Sequence, residues 1–289
     1  MPKPAVKVSQ IQKVNGDENV PAEDLLACEE PLEIRLVYGD KLNRKQKSIS
    51  VTMRTPGNDF ELALGFLFTE GVIKNKGDIA SIRYCLQNVT VMDEENIVKV
   101  ELNENIEVDI NRLSRNFYTS SSCGVCGKTS IEAVQSVRPV YKSQESLIVD
   151  QAVIIDLPGV LRKQQSIFEH TGGLHAAALF NEAGKLLLLR EDVGRHNALD
   201  KLIGASLVLN TLPLNRHVLL LSGRSSFELI QKATMAGLKM VAAVGAPSSL
   251  AVQLAKETAI TLIGFLRNER FNIYSCAERI RMVNYKNAE

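Results

Sequence analysis

With 289 residues, of which 45% are hydrophobic and 23% charged, the chain has the composition of a soluble globular protein and the length of one large domain or two ordinary ones. Its 34 basic residues nearly balance its 33 acidic residues, so no overall field favours nucleic acid or a membrane surface, and we expect neither as a partner. No apolar stretch resembles a signal peptide or a membrane helix, and five cysteines is an odd and low count. We therefore expect a cytoplasmic protein whose cysteines are thiols unless a site uses them.

The first part of the chain indicates strands and one helix behind an irregular N-terminal segment. Residues 1–30 are rich in Lys, Pro, Glu and Asn and show no hydrophobic period, which predicts a mobile arm. Alternating apolar residues at 31–38 and 48–53, separated by the turn Gly39-Asp40, predict a β-hairpin. The run 60–70 changes to a helical period behind an N-cap candidate, and its few charges indicate a buried helix.

Short runs continue this unit, which we expect to span residues 31–140. They predict strands at 79–87, 97–102 and 106–110, an irregular or helical link at 111–118, and a short helix that Pro139 ends. Together with the hairpin and the buried helix, these elements predict a mixed α+β unit.

From residue 141 to residue 289, strands alternate with helices. The helices are predicted at 156–165, 194–208, 225–236 and 248–258, and the strands at 172–180, 185–190, 216–221, 239–244 and 260–265. Crossover connections between neighbouring strands carry helices to both faces of a sheet, so this order predicts a three-layer α/β/α unit.

Polar and basic residues follow three of these strands, where ligands usually bind in open α/β sheets. The candidate residues of these stretches are Arg195 and His196 in the first, Ser222, Gly223 and Arg224 in the second, and, in the third, the apolar Phe265 and Leu266 followed by Arg267, Asn268, Glu269 and Arg270. The first two stretches also open a helix, so backbone N–H groups and guanidinium groups would converge on one anion. The sequence therefore predicts a phosphate-binding edge.

A pair of cysteines with CxxC spacing, Cys123 and Cys126, lies between glycines and permits three chemistries. A closed zinc site needs four ligands, and the sequence has neither a second CxxC nor a zinc-finger His. A thioredoxin-type redox site needs a βαβ context that is missing around this loop. A thiolate nucleophile needs a lowered pKa, which the start of a helix near Lys128 would supply. Spacing alone leaves these alternatives open.

The candidate histidines and arginines also have structural interpretations. His196, at a helix start, is either a base or ligand contact or a capping group, and His175, in an apolar strand, is best explained as a structural His. The arginines at the strand ends are either exposed charges or ligand contacts, and their recurrence favours contacts. Cys28, Cys85 and Cys276 are isolated, and we expect them to behave as small apolar residues.

Four stretches together resemble the formate dehydrogenase accessory sulfurtransferase family (FdhD). They are CGVCG at 123–127, TGGLHAAA at 171–178, EDVGRHNALDK at 191–201 and SGRSS at 222–226. The resemblance runs from about residue 30 to about residue 280, and the long motif at 191–201 is the specific one.

The resemblance implies a sulfur carrier, which accepts persulfide sulfur from a cysteine desulfurase. It passes the sulfur to the molybdenum cofactor, bis-molybdopterin guanine dinucleotide, that formate dehydrogenase needs. The implied persulfide residue is Cys123 with Cys126 as its partner, and the implied guanine-nucleotide contacts match 265–270. There Asn268-Glu269 departs from a Pro-Gly turn found in the family. A cofactor with two nucleotide ends suits a homodimer, which we expect.

The resemblance also implies a cytidine deaminase-like fold for the unit 141–289. A zinc deaminase needs a His or Cys ligand and a Glu at one helix start, and two cysteines at the next. The corresponding starts, at 196–198 and 222–226, have neither the Glu nor the cysteine pair, so we expect no catalytic zinc. The alternatives are a non-catalytic chaperone for the molybdenum cofactor and, in another class, a zinc-dependent nucleoside hydrolase.

Overall fold

The computed structural model of the chain describes residues 3–85, 95–104, 106–109, 147–165 and 171–282. These residues contain five α-helices: α1 (Asp59–Thr69), α2 (Gln151–Gln164), α3 (Arg195–Val208), α4 (Phe227–Met235) and α5 (Ser249–Glu257). Their strands are β1 (Val6–Asn15), β2 (Glu18–Ala27), β3 (Glu30–Tyr38), β4 (Lys45–Arg54), β5 (Ile79–Tyr84), β6 (Ile97–Leu102), β7 (Val149–Asp150), β8 (His175–Phe180), β9 (Leu186–Asp192), β10 (Val218–Leu221), β11 (Met240–Ala243), β12 (Thr261–Arg267), β13 (Arg270–Ser275) and β14 (Ile280–Arg281).

A six-stranded sheet with the order β13-β12-β11-β10-β8-β9 forms the centre of the second unit. Strands β10, β11 and β12 are parallel, and the outer pairings are antiparallel. All four residues of β10 are buried, which explains why this strand is a continuous apolar run in the sequence.

Helices cover both faces of this sheet. Val218 and Leu220 face the core cluster that contains Leu157 of α2, whereas Leu219 and Leu221 face the cluster that contains α3, α4 and α5. The predicted three-layer α/β/α arrangement is confirmed, and the strand order is compatible with a cytidine deaminase-like fold.

The first unit is a four-stranded sheet, β4-β3-β6-β5, together with α1. Its inward-facing residues, including Ile34 and Val100, belong to the same core cluster as Leu199 of α3 and Leu219 of β10. The predicted mixed α+β unit is therefore present, and it shares one hydrophobic core with the larger sheet.

Four local features differ from the sequence-based expectations. Residues 6–27, predicted to lack regular structure, form a fully paired antiparallel hairpin whose apolar residues are scattered over both faces. Residues 106–109, part of a predicted strand, are not in a strand. Helix α2 begins at Gln151 rather than at 156, so that Pro158, which a start at 156 would place in the first turn, lies inside the helix. Strand β13 was not predicted.

Several expectations fall on residues outside the described part of the chain. They are the link at 111–118, the paired cysteines, the helix that ends at Pro139 and the unit boundary at 140. None of the helices in the described part is long and apolar enough to cross a membrane.

Candidate functional site: a basic edge of the central sheet

The carboxyl ends of the three parallel strands meet at one edge, as the sequence predicts. Gly245 N donates a 3.1 Å hydrogen bond to Gly223 O, and Phe265 N donates a 3.0 Å bond to Gly245 O. These bonds place the stretch Ser222–Arg224 beside the loop after β11 and the end of β12. The predicted second and third strand-end stretches are therefore neighbours.

Strand β8 runs antiparallel to β10 and so begins at this same edge. Ser222 Oγ accepts a 2.8 Å bond from Ala176 N, which fixes the start of β8 against the end of β10. A Cβ atom on Gly223 would lie 3.2 Å from His175 Nδ1, which is tighter than ordinary contact. Glycine at position 223 thus lets the imidazole of His175 sit directly against the loop.

The buried carboxylate of Asp192 fixes the start of α3. Its Oδ1 accepts bonds from Gly194 N at 2.8 Å and Asn197 Nδ2 at 3.0 Å. Its Oδ2 accepts a 3.2 Å bond from Thr55 N and lies 2.7 Å from Lys201 Nζ. Both charged side chains are almost completely buried, so each compensates the desolvation of the other.

Asn197 extends this connection to the first unit. Its Nδ2 donates a 2.7 Å bond to Met53 O, and its Oδ1 accepts a 3.2 Å bond from Thr52 Oγ1. The polar residues of the 191–201 motif therefore divide into two groups. Asp192, Asn197 and Lys201 fasten α3 to β4 and the residue that follows it, whereas Arg195 and His196 lie beside the edge of the larger sheet.

His196 is enclosed by the start of α4. Its Nε2 lies 3.2 Å from Ser226 Oγ and 3.4 Å from Glu228 Oε2. Burial, followed by the positive charges of Lys232 and Arg195, lowers the pKa of His196 to about 3. The ring is therefore neutral at physiological pH, and its contact with Glu228 is not an ion pair.

A buried ion pair between Lys232 and Asp200 joins the helices next to the site. Lys232 Nζ of α4 donates to Asp200 Oδ2 of α3 at 2.9 Å and to Thr69 Oγ1 of α1 at 3.0 Å. The negative charges of Asp200 and Glu228 raise the pKa of Lys232 against the opposing effect of burial. The protonated amine of Lys232 thus connects α4 to both α1 and α3.

His175, Arg195 and Arg224 form a basic cluster at the edge. Burial, followed by the positive charges of Arg195 and Arg224, lowers the pKa of His175. Arg224 follows Gly223 in the loop against which His175 packs, and a Cβ atom on Gly245 would lie 3.1 Å from Arg224 Cγ. Arg195 Nε is buried and has no hydrogen-bond partner in the described part of the chain. Two cations and a neutral ring beside two helix starts are suited to an anion such as a phosphate.

The third predicted stretch, 265–270, is a β-hairpin rather than an irregular loop. Arg267 ends β12 and pairs with Arg270, the first residue of β13, across the two-residue turn Asn268-Glu269. Both turn residues have positive φ, 52° and 59°, and all four residues are exposed. Leu266 is only 1% exposed and packs in the core on the α2 side, so its side chain is not presented at the surface.

A cleft opens beside His175 on the face of the sheet that α2 covers. Its volume is about 650 Å³, and its walls include Leu161, Gln165, Leu174 and Val244. Cys123 and Cys126 lie outside the described residues. No three His, Cys, Asp or Glu side chains converge to hold a metal ion in the part that the structure describes.

Sequence reasoning missed the supporting residues of this site. Asp192 ends a strand and Lys201 follows nine residues later. Because buried charges occur mainly in pairs, this combination weakly indicated that the two side chains form a buried ion pair. Lys232 and Gln165 gave none, since their burial depends on packing between elements distant in sequence.

Comparison with known proteins assigns the chain to a family. Residues 27–281 match the model of the FdhD/NarQ family. A sulfur carrier protein FdhD of Streptomyces coelicolor is 50% identical over 90% of this chain and 90% of its own length. The FdhD sulfur carrier proteins of Mycolicibacterium paratuberculosis and Sulfurisphaera tokodaii are 48% and 40% identical, over 94% and 95% of this chain and 97% and 99% of their own.

The fold agrees with a solved structure. A crystal structure from Desulfotalea psychrophila, assigned as a formate dehydrogenase accessory protein, superposes with a TM-score of 0.71 at 24% identity. The superposition covers 96% of this chain and 100% of the other. On the match of the family model and the identity to these relatives, the chain belongs to the FdhD/NarQ family.

Proposed function

We propose that this chain is a sulfur carrier that delivers sulfur to the molybdenum cofactor of formate dehydrogenase. The observation that carries the proposal is the basic edge formed by His175, Arg195 and Arg224 in a chain 40–50% identical to sulfur carrier proteins. The paired cysteines supply the sulfur chemistry, and the edge supplies a place for an anionic client.

The sulfur is proposed to enter on Cys123. Its thiolate attacks the outer sulfur of a persulfide on a cysteine desulfurase; a new S–S bond forms on Cys123 and the S–S bond of the donor breaks. The donor cysteine leaves as a thiolate, so no external oxidant or reductant is needed.

Cys126 is proposed to release the sulfur. Attack of its thiolate on the Cys123 sulfur forms a Cys123–Cys126 disulfide and expels the outer sulfur as sulfide for the metal. Cys123 and Cys126 together are oxidised to the disulfide, which supplies the two electrons that reduce the outer sulfur to sulfide, and reduction of the disulfide by a cellular thiol returns the chain to its starting state.

The client is proposed to be bis-molybdopterin guanine dinucleotide, which is anionic along its diphosphates. Arg195, Arg224 and the starts of α3 and α4 are the groups suited to such phosphates. The hairpin tip at 267–270 adds two exposed arginines beside the same edge. Binding the client next to the carrier cysteine converts a bimolecular transfer into a local one.

The direct test is the intact mass of the full chain after incubation with a cysteine desulfurase and cysteine. Wild-type protein is expected to gain one sulfur atom on Cys123, and Cys126→Ala is expected to gain it and retain it longer. Cys123→Ala is expected to gain none, with Cys276→Ala as a matched control that loads normally.

Normal loading of the Cys123→Ala variant rejects the proposed carrier residue. If a Cys123→Ala/Cys126→Ala double variant still activates formate dehydrogenase, the chain acts as a cofactor chaperone without sulfur transfer.

A further inference from the structure

The outer face of the four-stranded sheet carries a row of three cations. Arg35 of β3 is aligned with Lys99 of β6, and Lys99 is aligned with Arg83 of β5. Aligned residues on neighbouring strands share a face, so the three side chains lie side by side, opposite to the core residues Ile34 and Val100. All three are at least partly exposed.

This row lowers the stability of the sheet, because like charges directly opposite each other on neighbouring strands repel. Arg35 is compensated by Glu33, whose Oε2 lies 2.7 Å from Arg35 Nη2. Arg83 is compensated by Glu101 at 3.3 Å. Lys99, between them, makes no ion pair with any residue that the structure describes. An unfavourable arrangement at an exposed surface indicates a role other than folding.

The charges of this face do not cancel. Arg44 reaches the face from the turn between β3 and β4, where its Nη2 lies 3.3 Å from Glu101 Oε1. Four cations against two carboxylates give the face a net charge of +2, whereas the whole chain has a net charge of +1. These six residues are Arg35, Arg44, Arg83, Lys99, Glu33 and Glu101. Such a concentration of positive charge attracts a partner with an acidic surface.

Exposed aliphatic residues adjoin the row on the same face. Val51 and Met53 of β4 are aligned with Glu33 and Pro31 of β3, and they are 62% and 47% exposed. Arginine and methionine are enriched at protein–protein interfaces, where apolar side chains occupy the centre. An aliphatic patch beside cations is therefore suited to a folded protein surface that carries acidic residues.

Nucleic acid fits this face less well. Proteins that bind a nucleic acid strand without sequence preference use a continuous basic groove and aromatic side chains on which bases stack. Here Glu33 and Glu101 interrupt the positive charge, and the exposed apolar residues Val51 and Met53 are aliphatic. The composition of the face thus favours a protein partner.

The dimensions of the face favour a transient contact. Its shorter strands have six residues, so with strands about 4.8 Å apart and about 3.3 Å per residue the face measures about 15 Å by 20 Å, roughly 300 Å². A stable complex buries about 800 Å² on each partner. The face can therefore form the centre of a small interface that separates readily, which a carrier loaded by one protein and emptied by another requires.

We propose that the outer face of the four-stranded sheet, centred on Lys99, docks an acidic surface of the protein that donates the sulfur. The inference rests on the proposed sulfur carrier function and names the surface through which the donor is recognised. The face includes no residue of the basic edge, so a donor bound here leaves the edge to the anionic client.

Initial rates of sulfur loading at a series of chain concentrations, with a cysteine desulfurase and cysteine, test the docking surface. Lys99→Glu is expected to raise KM for the full chain about tenfold and to leave kcat unchanged, because it alters the encounter with the donor and not the attack by the Cys123 thiolate. Lys99→Arg is expected to behave as wild type. Lys185→Glu, at an exposed lysine between β8 and β9, is the matched control with the same change of charge.

The thermal midpoint separates docking from a structural role of Lys99. Lys99→Glu places a carboxylate between Arg35 and Arg83, so its midpoint is expected to be unchanged or higher. An unchanged KM in this variant overturns the inference. A raised KM together with a lower midpoint also overturns it, because Lys99 would then act by holding the sheet.

Ionic strength gives a readout that needs no substitution. Salt screens attraction between exposed charges, so the wild-type KM is expected to rise with salt concentration, and the KM of Lys99→Glu is expected to change less. A wild-type KM that is independent of salt would contradict docking through these cations.

Further outcomes distinguish this inference from the proposed function and from other occupants of the face. Absence of loading in wild type would remove the sulfur carrier itself. Normal loading of Lys99→Glu with impaired activation of formate dehydrogenase would overturn the donor assignment and give the face to the recipient. Normal loading with a loss of self-association in analytical ultracentrifugation would overturn it in favour of a second copy of the chain.

Discussion

Gly65 of α1 and Gly204 of α3 face each other with no room for a side chain on either. A Cβ atom on Gly204 would overlap Glu61 O, and one on Gly65 would overlap Asp200 O. The two helix backbones therefore touch where the first unit meets the second.

Gly204→Ala is expected to lower the free energy of unfolding by about 3 kcal/mol, because the helices must separate to admit the methyl group. Urea unfolding followed by circular dichroism measures the change. Gly159→Ala in α2 is the matched control, since nothing lies within 4 Å of its added Cβ, and it is expected to be neutral or stabilising by up to about 1 kcal/mol. Equal effects of the two substitutions would contradict a close helix contact.

Asp192→Asn is expected to destabilise the fold by about 3–5 kcal/mol, because it leaves the buried ammonium of Lys201 without a counter-charge. Asp150→Asn, in an exposed pair with Arg281, is expected to change stability by less than about 1 kcal/mol. Both are measured by thermal and urea unfolding. A small effect at Asp192 would show that the pair does not hold α3.

Arg195→Ala and Arg224→Ala are each expected to weaken GDP binding by about tenfold or more, since each removes a charged donor from the edge that we propose binds the phosphates. The loss is expected to shrink as ionic strength rises. Calorimetric titration at two salt concentrations measures it, with Arg281→Ala, a remote exposed arginine, as the control. Unchanged binding in both edge variants would place the anion elsewhere.

His196→Gln is expected to flatten the acid side of the stability profile. The pKa of His196 is about 3 in the folded chain and about 6.5 in the unfolded chain, so between these values only the unfolded state binds the proton. The free energy of unfolding of the wild type therefore falls as pH decreases below 6.5, by up to about 1.4 kcal/mol per pH unit from this residue.

Urea unfolding of wild type and His196→Gln between pH 6.5 and pH 4.5 measures the difference in slope, which cancels the contributions of the carboxylates common to both chains. Parallel profiles would mean that His196 is accessible to protons in the folded state.

Glu269→Gly is expected to stabilise the chain by about 1 kcal/mol, because Glu269 has a φ of 59° at the second position of a two-residue hairpin turn that favours glycine. Asn268→Gly, at a φ of 52°, is expected to have a smaller effect, since Asn tolerates this conformation. Differential scanning calorimetry measures both. A lower midpoint for Glu269→Gly would indicate that the carboxylate makes a contact that outweighs the backbone strain.

The sequence predicted the central sheet well where strands are buried on both faces. The runs at 218–221 and 240–243 are continuous and apolar, because each residue packs against a helix layer. The hairpin at 6–27 was missed for the opposite reason: its apolar residues, such as Val8 and Val14, are exposed and follow no single face.

The candidate site was predicted in part. The strand-end stretches at 195–196 and 222–224 lie at one edge, as the sequence predicts, because β9 and β10 both run antiparallel to β8 and therefore end on the same side of the sheet. The division of the 191–201 motif into anchoring residues and edge residues was not predictable, because it depends on contacts with Thr55 and Met53 in the other unit.

The anchoring of Asp192 and Asn197 on Thr55 and Met53 has a consequence for protein engineering. Thr55 and Met53, from the first half of the chain, bind Asp192 and Asn197 on either side of Arg195 and so hold the segment that carries this cation. A fragment that starts at residue 147 would keep Arg195 but lose the contacts with Thr55 and Met53 that hold the start of α3, so the larger sheet alone does not preserve the geometry of the basic edge. A protein engineered to present this edge on another scaffold must also include β4 and α1.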